Sequence, residues 1–307
     1  MKVSHHLYDQ LSRITSEENV MVNELIKNHT YTKLGGKADV YITPETYSEV
    51  QDIIKLANKE EVPFTMLGNG SNLIVKDGGI RGIVMNLQKL ASIWREEDKI
   101  MAQSGARIID ASRAALKESL AGLEFACGIP GSVGGALYMN AGAYGGEIKD
   151  VLESTIVATK EGDIRTLTAA ELDLDYRTSN IPDNGYIVLE ATFALNKAAS
   201  IDIKEIMDDL TYKRESKQPL EYPSCGSVFK RPPGYFAGKL IQDSELQGTQ
   251  IGGAEVSKKH AGFIVNKNNA SATEYINLIR HVQKTVNDKF GVQLEREVRI
   301  IGEDPVE

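Results

Sequence analysis

Residues 125–146 read Phe-Ala-Cys-Gly-Ile-Pro-Gly-Ser-Val-Gly-Gly-Ala-Leu-Tyr-Met-Asn-Ala-Gly-Ala-Tyr-Gly-Gly, 22 residues without a charge, seven of them glycine. The length suits a membrane span, but this glycine density, with Pro130 near the start, disfavours any regular helix in water or lipid. Each glycine costs roughly 0.5–1 kcal/mol of ordering relative to alanine, so seven cost several kcal/mol that something must offset. A main chain free of side chains lies flat against a large planar or phosphorylated ligand. The stretch reads as a buried, backbone-rich binding loop.

Upstream, Leu67-Gly-Asn-Gly-Ser-Asn72 repeats the theme on a smaller scale: a strand, then a glycine turn. Its amides can point into one concavity, and Ser71 and Asn72 add side-chain donors. Taken alone it is equally a plain β-turn. It is not a Rossmann fingerprint, since Leu73 follows and no helix opens there. Nor is Gly238-Lys239-Leu240 a P-loop, because the hydroxyl residue that would bind magnesium is missing. Two glycine loops in one region favour an extended ligand with phosphates and a ring system, a dinucleotide.

Around these loops the pattern is mixed. Thr46-Tyr-Ser-Glu49 is a capping box heading a helix with Val50, Ile53, Ile54 and Ala57 at helical spacing. Short strands are expected at 62–67, 73–75, 80–85 and 100–103, with a helix over about 108–120. A hairpin follows at 156–167, then a second capping box, Thr168 to Glu171, heading a short helix that stops near Tyr176. Ile187, Leu189, Ala191, Phe193 and Leu195 alternate as one strand face. A helix with Ile203, Ile206, Met207 and Leu210 on one stripe comes next. The C-terminal part shows a strand at 263–265, a helix from about 272 to 289 stopped by Gly291, and a strand over 292–301. The class is α+β, with a large domain at 1–200 and a smaller one at 201–307.

The chain has 307 residues and 33.7 kDa, about two domains of the usual ~150 residues. A net charge of −8 argues against a general nucleic-acid binder. Residues 210–260 nevertheless carry a local excess of three positive charges, which suits an anionic ligand as well as a solvated face. Cys127 and Cys225 lie too far apart for a CxxC metal site and too few for a disulfide framework, and they suit a reducing cytoplasm. The first 25 residues hold no apolar signal core. The five histidines show no metal-ligand spacing, and His5-His6 is expected at a loose terminus. No metal is expected.

Three more segments hold reactive side chains. In Asp175-Tyr-Arg-Thr-Ser179, Arg177 can bind a carboxylate bidentately, although such an arginine is more often a surface ion pair. In 219–233, Ser224 and Ser227 flank Gly226 between prolines; a serine in such a loop is usually a turn residue, and no Gly-x-Ser-x-Gly elbow exists. In 292–301, alternation sets Glu295 and Glu297 on the face opposite Leu294 and Val298, as acid–base groups or as a strand's wet side.

In order along the chain, Tyr31-Thr-Lys-Leu-Gly-Gly36, Gly68-Asn-Gly-Ser-Asn72, Gly128-Ile-Pro-Gly-Ser-Val-Gly-Gly135, Asn140-Ala-Gly-Ala-Tyr-Gly145, Tyr176-Arg177, Gly226-Ser227 and Glu297-Val-Arg299 resemble the UDP-N-acetylenolpyruvoylglucosamine reductase family. The resemblance runs from about residue 20 to 303; it covers none of the first 20 residues. It implies a two-lobed FAD-binding domain of the vanillyl-alcohol-oxidase/p-cresol-methylhydroxylase type, with lobes at about 25–85 and 86–200, and a smaller α+β substrate-binding domain. The compact 176–179 and 223–227 segments are similar to the family's shorter subtype, which lacks a tyrosine-bearing substrate loop.

Carried over position by position, the resemblance makes Gly68, Asn69, Gly70, Ser71, Asn72, Gly128, Ile129, Gly131, Ser132 and Gly135 contacts of non-covalent FAD. It makes Arg177, Ser227 and Glu297 catalytic: Arg177 and Glu297 stabilise an enolate-like intermediate and Ser227 donates the proton. Tyr176, Arg214, Lys217, Lys230 and His260 are the expected substrate contacts. The implied partners are UDP-N-acetylglucosamine-enolpyruvate and NADPH; the protein is expected to be a cytoplasmic monomer without nucleic-acid or membrane partners. Two readings compete. One is a flavin-dependent oxidase of the same fold, with Cys127 the only nearby residue for covalent attachment. The other is a non-catalytic flavin- or nucleotide-binding module.

Overall fold

A computed structural model describes residues 5–305. Contacts divide the chain into two units, one of Met1–Val22, Asp39–Asn69 and Gly82–Arg214, the other of Asn23–Ala38, Gly70–Arg81 and Glu215–Glu307. The division is interleaved rather than linear. The stretch expected as a first lobe, 25–85, contributes to both units, and the boundary in the second half falls inside the helix Ser200–Lys217.

The first unit is built on two main sheets, with two further two-stranded pairings. The smaller orders its strands Val20–Val22, Ala38–Ile42, Ile80–Met85 and Phe64–Met66, the last two parallel with Phe64 opposite Ile83. Against it pack the helices His5–Ile14 and Tyr47–Lys59, through Leu7, Leu11, Val50, Ile53 and Ile54. The Thr46 hydroxyl caps the second helix by accepting from Glu49 N (3.2 Å). The N-terminal helix carries no family motif, so the sequence left it unread; its backbone already includes His5 and His6, which corrects the expected loose terminus.

The larger sheet runs Ile164–Thr168, Leu152–Ala158, Ile187–Ala194, Lys99–Gln103, Ile93–Glu96, antiparallel throughout. The expected hairpin is its edge. Ile187–Ala194 lies at the centre and buries Val188 as well as Leu189, Ala191 and Phe193, so the sheet is covered on both faces. Helices Ile108–Lys117 and Val133–Tyr138 supply much of that cover. Ile203 and Met207 of Ser200–Lys217 bury against Cys127, while Ile206, expected on the same stripe, stays half exposed.

The second unit is built on a sheet of order Ser224–Ser227, Phe263–Asn266, Ala254–Val256, Gln250–Ile251. The helix Ala272–Phe290 packs against it with Tyr275, Leu278, Ile279, Val282 and Val286. Ser271 and Glu274 form a capping box (3.1 and 2.9 Å), and Asp77 accepts from Ala272 N and Thr273 N, both at 2.8 Å. Gly291, at φ 67°, ends the helix in the left-handed region. Leu73–Val75 pairs in parallel with Arg299–Ile301.

Two sequence expectations fail here for local reasons. The helix expected after Thr168 is one 3₁₀ turn, Ala169–Leu172: its capping box forms, but Asp173 turns left-handed at φ 47°. The strand expected over 292–301 is regular only at Arg299–Ile301. Both Glu297 N and Val298 N reach the carbonyl of Val228 (2.8 and 3.4 Å), and sharing one acceptor breaks the ladder. Among the described residues no helix is long and apolar enough to cross a membrane, and no cluster of His, Cys, Asp or Glu can hold a metal.

Candidate active site

The two glycine loops meet at one hydroxyl. Ser132 caps Val133–Tyr138, accepting from Gly135 N at 3.2 Å. A Cβ built on Gly68 would meet only Ser132 Oγ, at 2.9 Å, and one built on Gly135 only the same atom, at 3.3 Å. Two bare stretches of backbone, 67 residues apart in sequence, therefore flank a single serine. Gly68 is held from behind by Asn86, whose side-chain amide donates to its carbonyl (3.1 Å). Ile129 is half-buried on the core of the larger sheet.

A third segment supports the pair and was not read from the sequence. Ser104 O and Ala106 O accept from Gly134 N (3.0 Å) and Val133 N (2.8 Å), and Gly131 O accepts from Ile108 N (3.0 Å). A Cβ on Gly105 would stand 1.8 Å from Leu87 O, so only glycine permits this approach. The signal available was a strand running through Gln103-Ser-Gly-Ala into a helix.

The turn at 68–72 is divided between the units. Gly70 and Asn72 belong to the second. The room expected over Gly70 is filled by protein: at φ 62° its Cβ would meet Thr30 Cα at 2.7 Å and His29 O at 2.8 Å. This glycine is required by the fold whatever binds nearby. Asn72 secures the Glu297 backbone instead, with Nδ2 donating to Glu297 O (3.4 Å) and its own carbonyl accepting from Arg299 N (3.2 Å).

Arg177, in the first unit, sits on a tight turn in which Asp175 and Thr178 exchange backbone bonds (3.2 and 3.1 Å). The residue is left-handed, φ 55°, and its guanidinium lies 5.7 Å from the centre of the exposed Tyr176 ring. Two polar anchors fix the turn to the glycine segment. Fully buried Asn140 donates to Asp175 O (3.0 Å) and to Glu147 Oε2 (2.8 Å), and Ser179 Oγ donates to Tyr138 O (2.6 Å). A guanidinium is a planar fork of donors of the kind that can pair with a carboxylate.

Ser227 and Glu297 lie together in the second unit. Ser227 is exposed and opposite Phe263; Glu297, half-buried, follows the Phe229↔Arg296 bridge and donates its amide to Val228 O. Gly226, left-handed at φ 75° with open space around its missing Cβ, throws Ser227 outward.

The expected substrate contacts belong to both units, Tyr176 and Arg214 to the first and Lys217, Lys230 and His260 to the second. Arg214 lies across Gly128, its Cδ 2.7 Å from where a Cβ would stand. Lys217 ends its helix exposed. Lys230 Nζ pairs with Glu295 at 2.5 Å, so its charge is already countered. His260 Nδ1 accepts from Gly262 N (3.1 Å) and its ring meets Phe263 edge-on at 4.8 Å. Burial holds its pKa below the usual histidine value, leaving a neutral imidazole at pH 7. Cys127 is buried against the helix Ser200–Lys217, with Sγ 3.7 Å from Met207 O and 3.8 Å from Thr211 Oγ1; burial raises its pKa.

The converging loops fit a diphosphate-bearing cofactor. Main chain at Gly68 and Gly135 faces Ser132 with no side chain in the way, so a flat, backbone-lined approach is left open there. Comparison with known proteins agrees. The FAD binding domain family matches residues 38–168, and the UDP-N-acetylenolpyruvoylglucosamine reductase C-terminal domain matches 218–301. A protein named UDP-N-acetylenolpyruvoylglucosamine reductase from Oceanobacillus iheyensis is 95% identical over 307 residues, all of both chains. One of the same name from Geobacillus thermodenitrificans is 62% identical over 304 residues, 99% of this chain and 100% of that one. The crystal structure of the reductase from Thermus caldophilus superposes with a TM-score of 0.79 at 33% identity, over 90% of this chain and 97% of that one.

Proposed function

The chain belongs to the UDP-N-acetylenolpyruvoylglucosamine reductase family, and we infer that it reduces the enolpyruvyl ether of UDP-N-acetylglucosamine-enolpyruvate to UDP-N-acetylmuramate, a step in peptidoglycan precursor synthesis. FAD, in a domain of the vanillyl-alcohol-oxidase type, when bound carries hydride from NADPH to the substrate. The observation that carries the reading is identity along the whole chain with a protein of that name.

The residues divide the work. Gly68, Asn69, Gly128, Ile129, Gly131, Ser132 and Gly135 of the first unit, with Gly70, Ser71 and Asn72 of the second, form the loops assigned to the cofactor. Hydride addition to the terminal carbon of the enolpyruvyl group develops negative charge at the α-carbon and in its carboxylate. Arg177, a fixed cation, stabilises that charge most in the transition state. Glu297 helps hold the enediolate, and Ser227 delivers the proton to the α-carbon. A serine hydroxyl is a weak acid, but the carbanion-like acceptor is strongly basic, so position decides. Tyr176, Arg214, Lys217, Lys230 and His260 stand as the contacts of the sugar nucleotide, His260 as a neutral hydrogen-bonding group. The enzyme works as a cytoplasmic monomer on this reading.

An oxidase with covalently attached flavin would need a His or Cys at a flavin-facing loop. Cys127 is buried against Met207 and Thr211, and that burial keeps its thiol protonated, which disfavours attack on a flavin. Denaturation should release all yellow colour from the protein. The test of the main reading is stopped-flow absorbance: NADPH should bleach the flavin, and the enolpyruvyl sugar should restore it. Failure of both steps overturns it.

A further inference from the structure

Ser227 is presented by an irregularity in its strand. Asn266 N donates to Pro223 O (2.8 Å), and Val228 N donates to Gly262 O (3.0 Å). Between those bonds the chain takes five steps from Pro223 to Val228 but only four from Gly262 to Asn266. The extra residue is a β-bulge, seen also as the register shift between Ser224 and Ser227. Such a bulge re-aims the side chain beside it, at the expense of a regular ladder.

Ile264 lies midway along the partner stretch, facing the bulge. Its carbonyl accepts from the hydroxyl of Tyr275 at 2.5 Å, and the tyrosine hydroxyl oxygen lies 3.3 Å from Cys225 Sγ. Since the tyrosine proton is committed to Ile264, the cysteine thiol is the donor of the second bond. Tyr275 is fully buried and comes from the long helix, one turn from its capped N-terminus. Burial pushes the Cys225 pKa up to about 11, so the thiol keeps its proton at neutral pH. One phenol thus ties the bulged strand, its neighbour and the helix together, two residues before Ser227.

We propose that Tyr275 is a positioning residue for the proton-transfer step: through Cys225 and Ile264 its hydroxyl locks the bulge that aims Ser227. The inference rests on the proton-donor reading of Ser227. It touches no reacting atom itself. A side chain in a merely structural role would lower stability and leave the two half-reactions in proportion; one that aims the proton donor slows only the second.

The test is Tyr275→Phe, which keeps the ring and its packing, studied as the FAD-loaded enzyme in single turnover. Flavin reduction by NADPH should stay within twofold of wild type. Reoxidation by the enolpyruvyl sugar should slow at least tenfold at saturating sugar, with its KM changed less than threefold. Cys225→Ser, which keeps a donor, should retain more of the second half-reaction than Cys225→Ala. Ser227→Ala is run beside them. If it too spares reoxidation, the proton-donor reading fails and the inference with it. If Ser227→Ala slows reoxidation while Tyr275→Phe lowers only the melting temperature, this inference alone is overturned. If Tyr275→Phe is too unstable to load FAD, the Cys225→Ser and Cys225→Ala pair decides: equal reoxidation rates overturn it.

Discussion

The amide of Glu297 donates to the carbonyl of Val228 at 2.8 Å, which sets the carboxylate-bearing residue beside the strand end that carries Ser227. The same carbonyl also receives Val298 N, so this is the point where two segments stop running as a regular ladder. A serine and a carboxylate placed by backbone bonds are held independently of their own side-chain hydrogen bonds. Removing either side chain should therefore leave the backbone around it in place.

Ser227→Ala should bind FAD and complete the NADPH half-reaction nearly as wild type. Flavin reoxidation by the enolpyruvyl sugar should slow by the ~10²–10⁴ typical of a lost general acid. Ser227→Cys, which retains an ionisable proton, should lose less. Single-turnover absorbance separates the halves; equal losses in both would make the serine structural.

The glycines of the two loops should fail differently. Gly135→Val adds a side chain on an exposed face where only Ser132 Oγ is near, so the protein should fold and purify colourless. Gly70→Val must be left-handed and meets Thr30 Cα at 2.7 Å, so it should lose the fold itself. Circular dichroism and flavin absorbance per protein, measured together, distinguish the two. A fully yellow Gly135→Val would remove that loop from the cofactor site.

Charge in the basic segment should show in the Michaelis constant of the sugar nucleotide. Exposed contacts of this kind weaken with salt, so the constant should rise from low to moderate ionic strength. Lys217→Gln should raise it by up to about fivefold, the scale of one exposed pair. Lys230→Ala should raise it further by leaving Glu295 without its 2.5 Å partner. Steady-state kinetics at two salt concentrations check all three, and a constant that ignores them gives the segment another purpose.

Cys225 should make the protein sensitive to alkali. Its folded pKa, about 11, lies above the ordinary value of 9.0 because the thiol is buried. The protonated form is the one the fold favours, so its stabilisation is complete below pH 9 and is lost as pH climbs from 9 towards 11. Melting temperature followed from pH 8 to 10.5 should fall more steeply for wild type than for Cys225→Ala. Parallel curves would place the alkaline sensitivity elsewhere.

Much of this was legible in residue order. The helix after Thr46 announces itself by its capping box and the one ending at Gly291 by its stop, and the alternation at 187–195 marks a strand that proves central to its sheet. What sequence reading missed is non-local. Nothing in Gly70 says that the backbone of Thr30 occupies its missing side chain, since the two meet only through folding. Lys230 looked available because Glu295 lies 65 residues away. The 292–298 segment alternates like a strand, and only the doubled bond to Val228 O reveals that it is not one. The Ser104–Arg107 support lacked a motif long enough to notice; its function is carried by carbonyl groups, which every residue has.

The parallel pairing of Leu73–Val75 with Arg299–Ile301 has a consequence for how the protein is made. A strand near the beginning of the chain has to wait for one about 225 residues later to leave the ribosome. At ~5–20 residues per second that delay is roughly 10–45 s. Until then Ile74 and Val75, both fully buried in the finished protein, stay unpaired on a nascent chain whose first unit has most of its sequence. Newly made protein should therefore pass through an interval in which it is chaperone-accessible at this strand, and a stop codon placed before residue 299 should extend that interval indefinitely.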